Sequence, residues 1–165
     1  MPTESVQPGW PDISGRLEAG RHLLPVRVYY EDTDTSGLVY HASYLRFMER
    51  GRTDLLRLLG IGHKALGSGE DHEALFFAVR RMAIEFLRPA AIDDLLTVET
   101  SPQSIQGARG ILLQRVVRDD ALLVSAEVTV ALVNPSGKPR RFPPQIRDRL
   151  DAVTSKVSDS LTGRV

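Results

Sequence analysis

Cysteine is absent from this chain of 165 residues. Its absence excludes disulfides, thiolate metal ligands and a cysteine nucleophile. An excess of charge of one sign is absent too, because 21 lysine and arginine residues face 21 aspartate and glutamate residues. No overall field attracts nucleic acid or an anionic membrane, so the composition predicts no nucleic-acid partner.

Long apolar runs are also missing. No run approaches the roughly 18 residues of a membrane-spanning helix, and residues 1–20 lack the apolar stretch of a signal peptide. The sequence therefore predicts a cytoplasmic protein without a transmembrane segment. The four histidines have no metal-ligand spacing, so no metal site is expected. Nucleophile elbows, P-loops, dinucleotide fingerprints and zinc-protease motifs are absent as well.

The hydrophobic content of 42% is ordinary for one domain with a real core. The pattern predicts a flexible extension over 1–22, a folded domain over 23–150 and a tail over 151–165. Period-two and helical periodicity alternate along the chain. Strands are expected at 23–30, 76–87, 94–100, 109–118 and 122–132, a long helix at 42–59 and a short helix at 147–157.

One helix followed by a meander of strands predicts an α+β fold, a largely antiparallel sheet with the helix on one face. Gly51 lies in the apolar stripe of the helix despite its helix cost of about 1 kcal/mol, which suggests close approach of the sheet backbone. Phe77, Val79 and Leu123 are expected on the other face of the sheet. Apolar side chains on that face predict a homo-oligomer.

The chemistry-bearing residues concentrate in a loop between the first strand and the helix, with Asp32, Asp34, Gly37 and His41 in close succession. Asp34 either caps a turn or serves as an ionised nucleophile or general base, with its pKa lowered near a helix N-terminus. The unpaired amides of the first helical turn could bind an oxyanion beside it. This combination predicts hydrolysis of an activated ester.

His41 and Tyr30 each have two interpretations. His41 is either a surface or capping histidine, or a residue that holds substrate or relays a proton beside the carboxylate. Tyr30 is either a packed strand aromatic or a hydroxyl donor to the site. Several basic residues are individually ordinary solvated charges, and together they could bind a phosphorylated ligand. Those basic residues are Arg80, Arg81, Arg88, Arg109, Arg115, Lys138, Arg140 and Arg141.

Two blocks of sequence carry a family resemblance. The first is Arg27-Val28-x4-Thr33-Asp34-x2-Gly37-Leu38-Val39-x-His41-x2-Tyr44. The second is Phe86-Leu87-Arg88-Pro89-Ala90 with Asp93-Asp94-Leu95. They resemble the active-site signature of the 4-hydroxybenzoyl-CoA thioesterase class of hotdog-fold enzymes, and within it the YbgC subgroup associated with the Tol-Pal system. The resemblance covers roughly residues 25–145.

The resemblance implies a five-stranded sheet wrapped around one central helix, in a homodimer or homotetramer with the site at the dimer interface. By position, Asp34 would be the catalytic carboxylate and the main-chain N–H of His41 the oxyanion donor. Tyr30 and Gly37 would support substrate binding, and Arg88 or Lys138 would contact CoA phosphates. Asp32 does not match the catalytic position and is expected to shape the loop.

The leading hypothesis is therefore hydrolysis of an acyl-CoA thioester, without metal or redox cofactor, since CoA is part of the substrate. Two alternatives stay open. A non-catalytic hotdog dimer would bind acyl ligands or a protein partner without turnover. A hydroxyacyl-thioester dehydratase is disfavoured, because those sites pair an acid with a histidine on the central helix and the helix predicted at 42–59 contains none. The acyl chain, and whether Asp34 is nucleophile or base, are not determined by the sequence.

Overall fold

The computed structural model describes residues 13–62, 66 and 73–162, with side chains to residue 154. Six strands and two α-helices form the domain. The strands are β1 (Arg16–Glu18), β2 (Arg21–Arg27), β3 (Phe76–Phe86), β4 (Leu95–Gln106), β5 (Arg109–Arg118) and β6 (Ala121–Val133). The helices are α1 (His41–Leu58) and α2 (Pro144–Thr162), and a 3₁₀ turn spans Tyr30–Asp32. Predictions for residues 1–12, 63–65, 67–72 and 163–165 lie outside the described residues.

All six strands pair in one antiparallel sheet in the order β1-β2-β4-β5-β6-β3. The predicted α+β architecture is confirmed, with one strand more than expected. That strand, Arg16–Glu18, lies inside the segment assigned to a flexible extension and pairs with the start of β2. The ordered part of the chain thus begins before residue 23.

Three strand pairings contain a register shift, and each alters the pattern predicted from the sequence. The shift between β5 and β6 leaves Leu123 without a partner residue in β5. In β3 the shift between Val79 and Arg81 inserts one residue, which moves Phe77 onto the face that carries the helices. In β4 the shift lies between Pro102 and Ser104. A bulge tolerates a residue without N–H, so β4 continues past Pro102 instead of ending there.

The helix α1 lies across one face of the sheet, as its apolar stripe predicts. Phe47, Met48 and Leu55 are fully buried. At Gly51 an added Cβ would stand 2.9 Å from Val98 Cγ1 and 3.0 Å from Thr100 Oγ1. The close approach expected at this glycine is present, but the approaching atoms are side chains of β4 and not backbone.

A second apolar cluster contains residues of the C-terminal half of α1 and of α2. Leu56, Leu132, Phe142 and Leu150 are its buried members beside Ile61 and Ile146. The helix α2 begins at Pro144 and is longer than predicted, and it runs through the boundary expected at residue 150. None of the described helices is long and apolar enough to cross a membrane.

The expectation that Phe77, Val79 and Leu123 lie on the far face of the sheet was wrong at all three residues. Leu123 is fully buried, and the ring of Phe77 lies 5.8 Å from that of Phe142, within the same chain. Val79 is about half exposed, but it lines the same cavity between α1 and the sheet as Phe77, so it too lies on the helix-bearing face.

Candidate active site

The loop that leads into α1 is built on Asp32. This side chain is buried, and its Oδ2 accepts a hydrogen bond of 2.9 Å from the N–H of Tyr29. Its carbonyl accepts further bonds from the N–H of Tyr40 (2.8 Å) and the hydroxyl of Ser43 (3.0 Å). Asp32 therefore fixes both ends of the loop, which is the shaping role predicted for it.

Asp34 begins a tight turn and is exposed. The hydroxyl and the N–H of Ser36 both donate to Asp34 Oδ1, at 2.5 Å and 2.8 Å. Gly37 closes the turn with its N–H on the Asp34 carbonyl at 3.0 Å and a φ of +79°, a backbone region that favours glycine. No described residue donates to Asp34 Oδ2, so one oxygen is held and the other is open to a ligand.

The two hydrogen bonds from Ser36 lower the pKa of Asp34 below its ordinary range, with a smaller contribution from the nearby charge of His41. The carboxylate is therefore ionised at neutral pH. This shift was predicted to come from the helix N-terminus. The structure assigns it first to Ser36, because α1 begins only at His41 and residues 38–40 run between them, bridged to residues 33 and 91.

An open depression of about 340 Å³ brings Asp34 and His41 together with Arg88. Its apolar wall includes Phe86, whose ring centroid lies 6.2 Å from that of His41. Tyr44 also lines the depression. Its hydroxyl accepts the Ala90 N–H at 3.0 Å, and burial raises the pKa of that phenol. Three of the five predicted site residues thus share one depression.

The other two predicted site residues do not line it. Gly37 acts on the shape of the turn through its backbone, and the side chain of Tyr30 is directed away into solvent, being 82% exposed. The strand predicted over residues 23–30 ends at Arg27, and Tyr30 begins the 3₁₀ turn. The packed-aromatic interpretation of Tyr30 is therefore wrong.

The first amides of α1 lie at the edge of the same depression. No described residue accepts a hydrogen bond from the N–H of His41 or of Ala42, as expected for the first turn of a helix. The backbone of His41 is therefore free to donate to an oxygen of a ligand that also reaches Asp34.

The predicted basic patch does not assemble as one unit. Arg88 lines the depression, and its Nη1 donates to the Leu122 carbonyl at 3.2 Å. Arg140 is instead paired with Glu73 at 2.6 Å, and Lys138 belongs to the turn closed by Asn134. Arg88 is therefore the basic side chain that lines this depression.

Two functional features were missed by the sequence reasoning. Ser36 is not among the predicted site residues, although a serine two residues after an aspartate is the spacing of a local side-chain hydrogen bond. Phe86 lies in the second block of the family resemblance without a predicted role, and only the tertiary structure brings its ring to His41. Within the described ranges no three His, Asp or Glu side chains group closely enough to hold a metal ion.

Comparison with known proteins matches residues 28–150 to the thioesterase-like superfamily. The acyl-CoA thioester hydrolase YbgC of Escherichia coli O6:H1 is 45% identical over 124 residues, which cover 74% of this chain and 90% of that protein. The acyl-CoA thioesterase YbgC of Haemophilus influenzae is 44% identical over 125 residues, covering 75% and 90%.

A solved structure agrees with the sequence relatives. The probable thioesterase from Bartonella henselae is 50% identical, superposes with a TM-score of 0.72, and is matched over 74% of this chain and 99% of that one. The fold is thus the hotdog fold that the family resemblance implied. The chain belongs to the thioesterase-like superfamily, and within it to the YbgC subgroup of acyl-CoA thioesterases.

Proposed function

We propose that this protein hydrolyses acyl-CoA thioesters to a free acid and CoA. The observation that carries the proposal is the Asp34 carboxylate, which has one oxygen held by Ser36 and the other free. It shares an open depression with the start of α1. Relatives of 45% and 44% identity are acyl-CoA thioesterases by name, which supports this substrate class.

Asp34 has two routes to the product. As a general base it takes a proton from a water that adds to the thioester carbonyl carbon, and the proton then passes to the CoA sulfur as the carbon–sulfur bond breaks. As a nucleophile it attacks that carbon directly, expels CoA thiolate and leaves a mixed anhydride for water to cleave. Neither route requires a metal or redox cofactor.

The remaining groups have supporting roles in this proposal. The main-chain N–H of His41 donates to the oxyanion that develops on the carbonyl, an interaction worth on the order of 3 kcal/mol in acyl transfer. The His41 ring holds the substrate against Phe86, and Arg88 provides a cation for a CoA phosphate. Gly37 supplies the turn, and Tyr30, which is exposed and does not line the depression, supports a part of the substrate that extends beyond it.

We further propose that the active form is a homodimer or homotetramer with the site at the dimer interface, located in the cytoplasm and linked to Tol-Pal function. The support is the exposed edge strand β3, with Val79 and Phe86 about half exposed beside it. Large exposed apolar side chains on a free strand edge favour pairing with another chain.

The deciding experiment measures release of free thiol from a panel of acyl-CoAs by wild type and by Asp34→Asn. The proposal expects turnover of at least one acyl-CoA by the wild type and a loss of about 10²–10⁴-fold in the variant. Asp120→Asn, at an exposed turn, is the matched control. Wild-type turnover in Asp34→Asn would reject the site, and binding of acyl-CoA without turnover across the panel would favour the non-catalytic alternative.

Pre-steady-state kinetics with excess substrate tests the nucleophilic route. A burst of CoA release before steady state indicates accumulation of the anhydride and the nucleophilic route. Release of acid and CoA at the same rate from the first turnover shows that no anhydride accumulates, as the general-base route requires.

A further inference from the structure

A second carboxylate, Glu49, is held in a fixed position on α1. Its Oε2 accepts a hydrogen bond from Arg52 Nη2, and its Oε1 accepts one of 3.2 Å from the hydroxyl of Thr53. The side chain is nevertheless 59% exposed. An exposed glutamate side chain ordinarily rotates freely, so hydrogen bonds to both of its oxygens cost side-chain entropy. A surface residue without a further role does not require such restraint.

The restraint originates in the core. Arg52 is 8% exposed, and its Nη1 donates to Gln114 Oε1 at 2.7 Å. Gln114 in turn donates to the carbonyl of Met48 and to Thr100 Oγ1, both at 2.9 Å. A buried chain of hydrogen bonds thus runs from the sheet to the one carboxylate at its exposed end.

Glu49 borders a small apolar cavity of about 70 Å³ between α1 and the sheet. Phe77 and Val79, near the beginning of β3, line the same cavity. Because the carboxylate is more than half exposed, it lies where this cavity meets solvent. We refer to these four features, Glu49, Arg52, Phe77 and Val79, as the helix-cavity group.

Within one chain this group is far from Asp34. His41, which shares the depression with Asp34, precedes Glu49 by eight residues of one α-helix, or about 12 Å along its axis. Two carboxylates that share one water need to approach to within hydrogen-bond reach of it. Glu49 therefore does not serve the Asp34 of its own chain.

The strand β3 runs from the helix-cavity group to the Asp34 depression. The Asp34 depression is lined by Phe86 and Leu87 at the end of β3, whereas the helix-cavity group includes Phe77 and Val79 near its beginning. Phe86 contacts His41 and Phe77 contacts Phe142, so both ends present side chains to the helix-bearing face. Among the described strands none pairs with the outer edge of β3.

When that edge pairs antiparallel with the same edge of a second copy, the two β3 strands lie side by side and run in opposite directions. A two-fold axis then places the end of one β3 beside the beginning of the other. The Asp34 depression of each chain meets the helix-cavity group of the other. Such pairing also covers the exposed apolar side chains Val79 and Phe86.

We infer that Glu49 of a second copy completes the site of Asp34 as a positioning residue for the attacking water. The inference rests on the proposed function in its general-base form. The water oxygen adds to the thioester carbonyl carbon while one water proton passes to Asp34. The carbon–sulfur bond breaks and that proton moves to the CoA sulfur. Glu49 accepts the hydrogen bond of the other water proton and is unchanged over the cycle.

The test is complementation between two variants. Asp34→Asn and Glu49→Gln chains are co-expressed with different tags, and the mixed dimer is purified through both. It contains one site with both native carboxylates and one site with neither, so thiol release returns to about half of the wild-type value. The Glu49→Gln homodimer alone loses about 10–100-fold in kcat, with KM changed much less.

Two results overturn the inference. Wild-type kcat in Glu49→Gln removes any role, and a mixed dimer no more active than the Glu49→Gln homodimer excludes action across the interface. Glu127→Gln, an exposed glutamate on β6, is the matched control, and equal melting temperatures exclude loss of fold. Full activity of Asp34→Asn would reject the proposed function instead, which the homodimer assay reports separately.

Discussion

Two aspartates twenty residues apart show opposite uses of a carboxylate. Asp34 is exposed, with Oδ1 occupied by Ser36 and Oδ2 without a described donor. Asp54, on the middle of α1, is 5% exposed. Its Oδ2 accepts 2.7 Å bonds from the Gly15 N–H and from Nε2 of His22, and its Oδ1 accepts one of 3.2 Å from Arg57.

The difference teaches which carboxylate can react. The hydrogen bonds to Asp54 connect separate parts of the fold. They join the segment before β1 and the start of β2 to the helix α1. At Asp34 the single donor residue lies two positions away in the same turn. No other described segment holds this side chain, so half of the carboxylate is free. A fully bonded buried carboxylate stabilises structure, whereas a partly bonded exposed one is available to substrate.

The largest expected effect is the loss of activity when the exposed carboxylate of the pair, Asp34, is replaced. Asp34→Asn should lower kcat about 10²–10⁴-fold with no change in melting temperature, because no other element hydrogen-bonds to this side chain. Thiol release and thermal melting of the same preparation measure both quantities. A melting temperature several degrees lower would show that Asp34 is also structural.

The reciprocal change is Asp54→Ala. It leaves the buried His22 ring and the partly buried Gly15 N–H without their acceptor, and should reduce the free energy of unfolding by about 3 kcal/mol. Chemical denaturation measures this loss, while kcat per folded molecule stays close to wild type. Asp54→Asn retains an acceptor oxygen and should lose less. An inactive but fully stable Asp54→Ala protein would contradict the structural assignment.

Two glycines, one beside Asp54 and one in the turn of Asp34, test the difference in packing between these two regions. A Cβ at Gly15 would stand 2.2 Å from the Leu23 carbonyl oxygen and 2.7 Å from His22 Nε2, so Gly15→Ala should cost about 2 kcal/mol by overpacking. A Cβ at Gly37 meets nothing within 4 Å, and only its φ of +79° opposes Gly37→Ala, at about 1 kcal/mol. Denaturation of both variants should rank them in that order, and a reversed order would contradict it.

The smallest effect concerns the acid limb of activity. Ser36→Ala removes the hydroxyl bond that contributes most to the lowered pKa of Asp34, so that pKa rises. Because activity requires the ionised form, it is lost as the pH falls through this pKa, and the acid limb of kcat/KM should move to higher pH. At pH 7 the rate should stay within about twofold. An unchanged acid limb in Ser36→Ala would show that Ser36 does not affect the ionisation of Asp34. Ser36→Thr keeps the hydroxyl and should retain the wild-type pH profile.

Much of the fold was predictable because its signals are local. The stripe of α1 and the alternation of β6 follow from helical and strand periodicity, and Leu123 shows the limit, since it was assigned to the wrong face yet is fully buried. The face of Phe77 depends on a bulge that no local pattern predicts. The strand Arg16–Glu18 exists through pairing with β2, a contact that a polar segment does not reveal.

For the site, the sequence by itself determined the local arrangement on which the proposed chemistry rests: Asp34 in a turn closed by Gly37, followed by a helix that begins with unpaired amides. Those are properties of residue type and short-range spacing. Only the tertiary structure decided that Ser36 occupies one oxygen of Asp34, that Phe86 and Arg88 join the depression, and that Glu49 is fixed by the buried Arg52. Such arrangements depend on contacts between segments distant in the chain, which the order of residues does not encode locally.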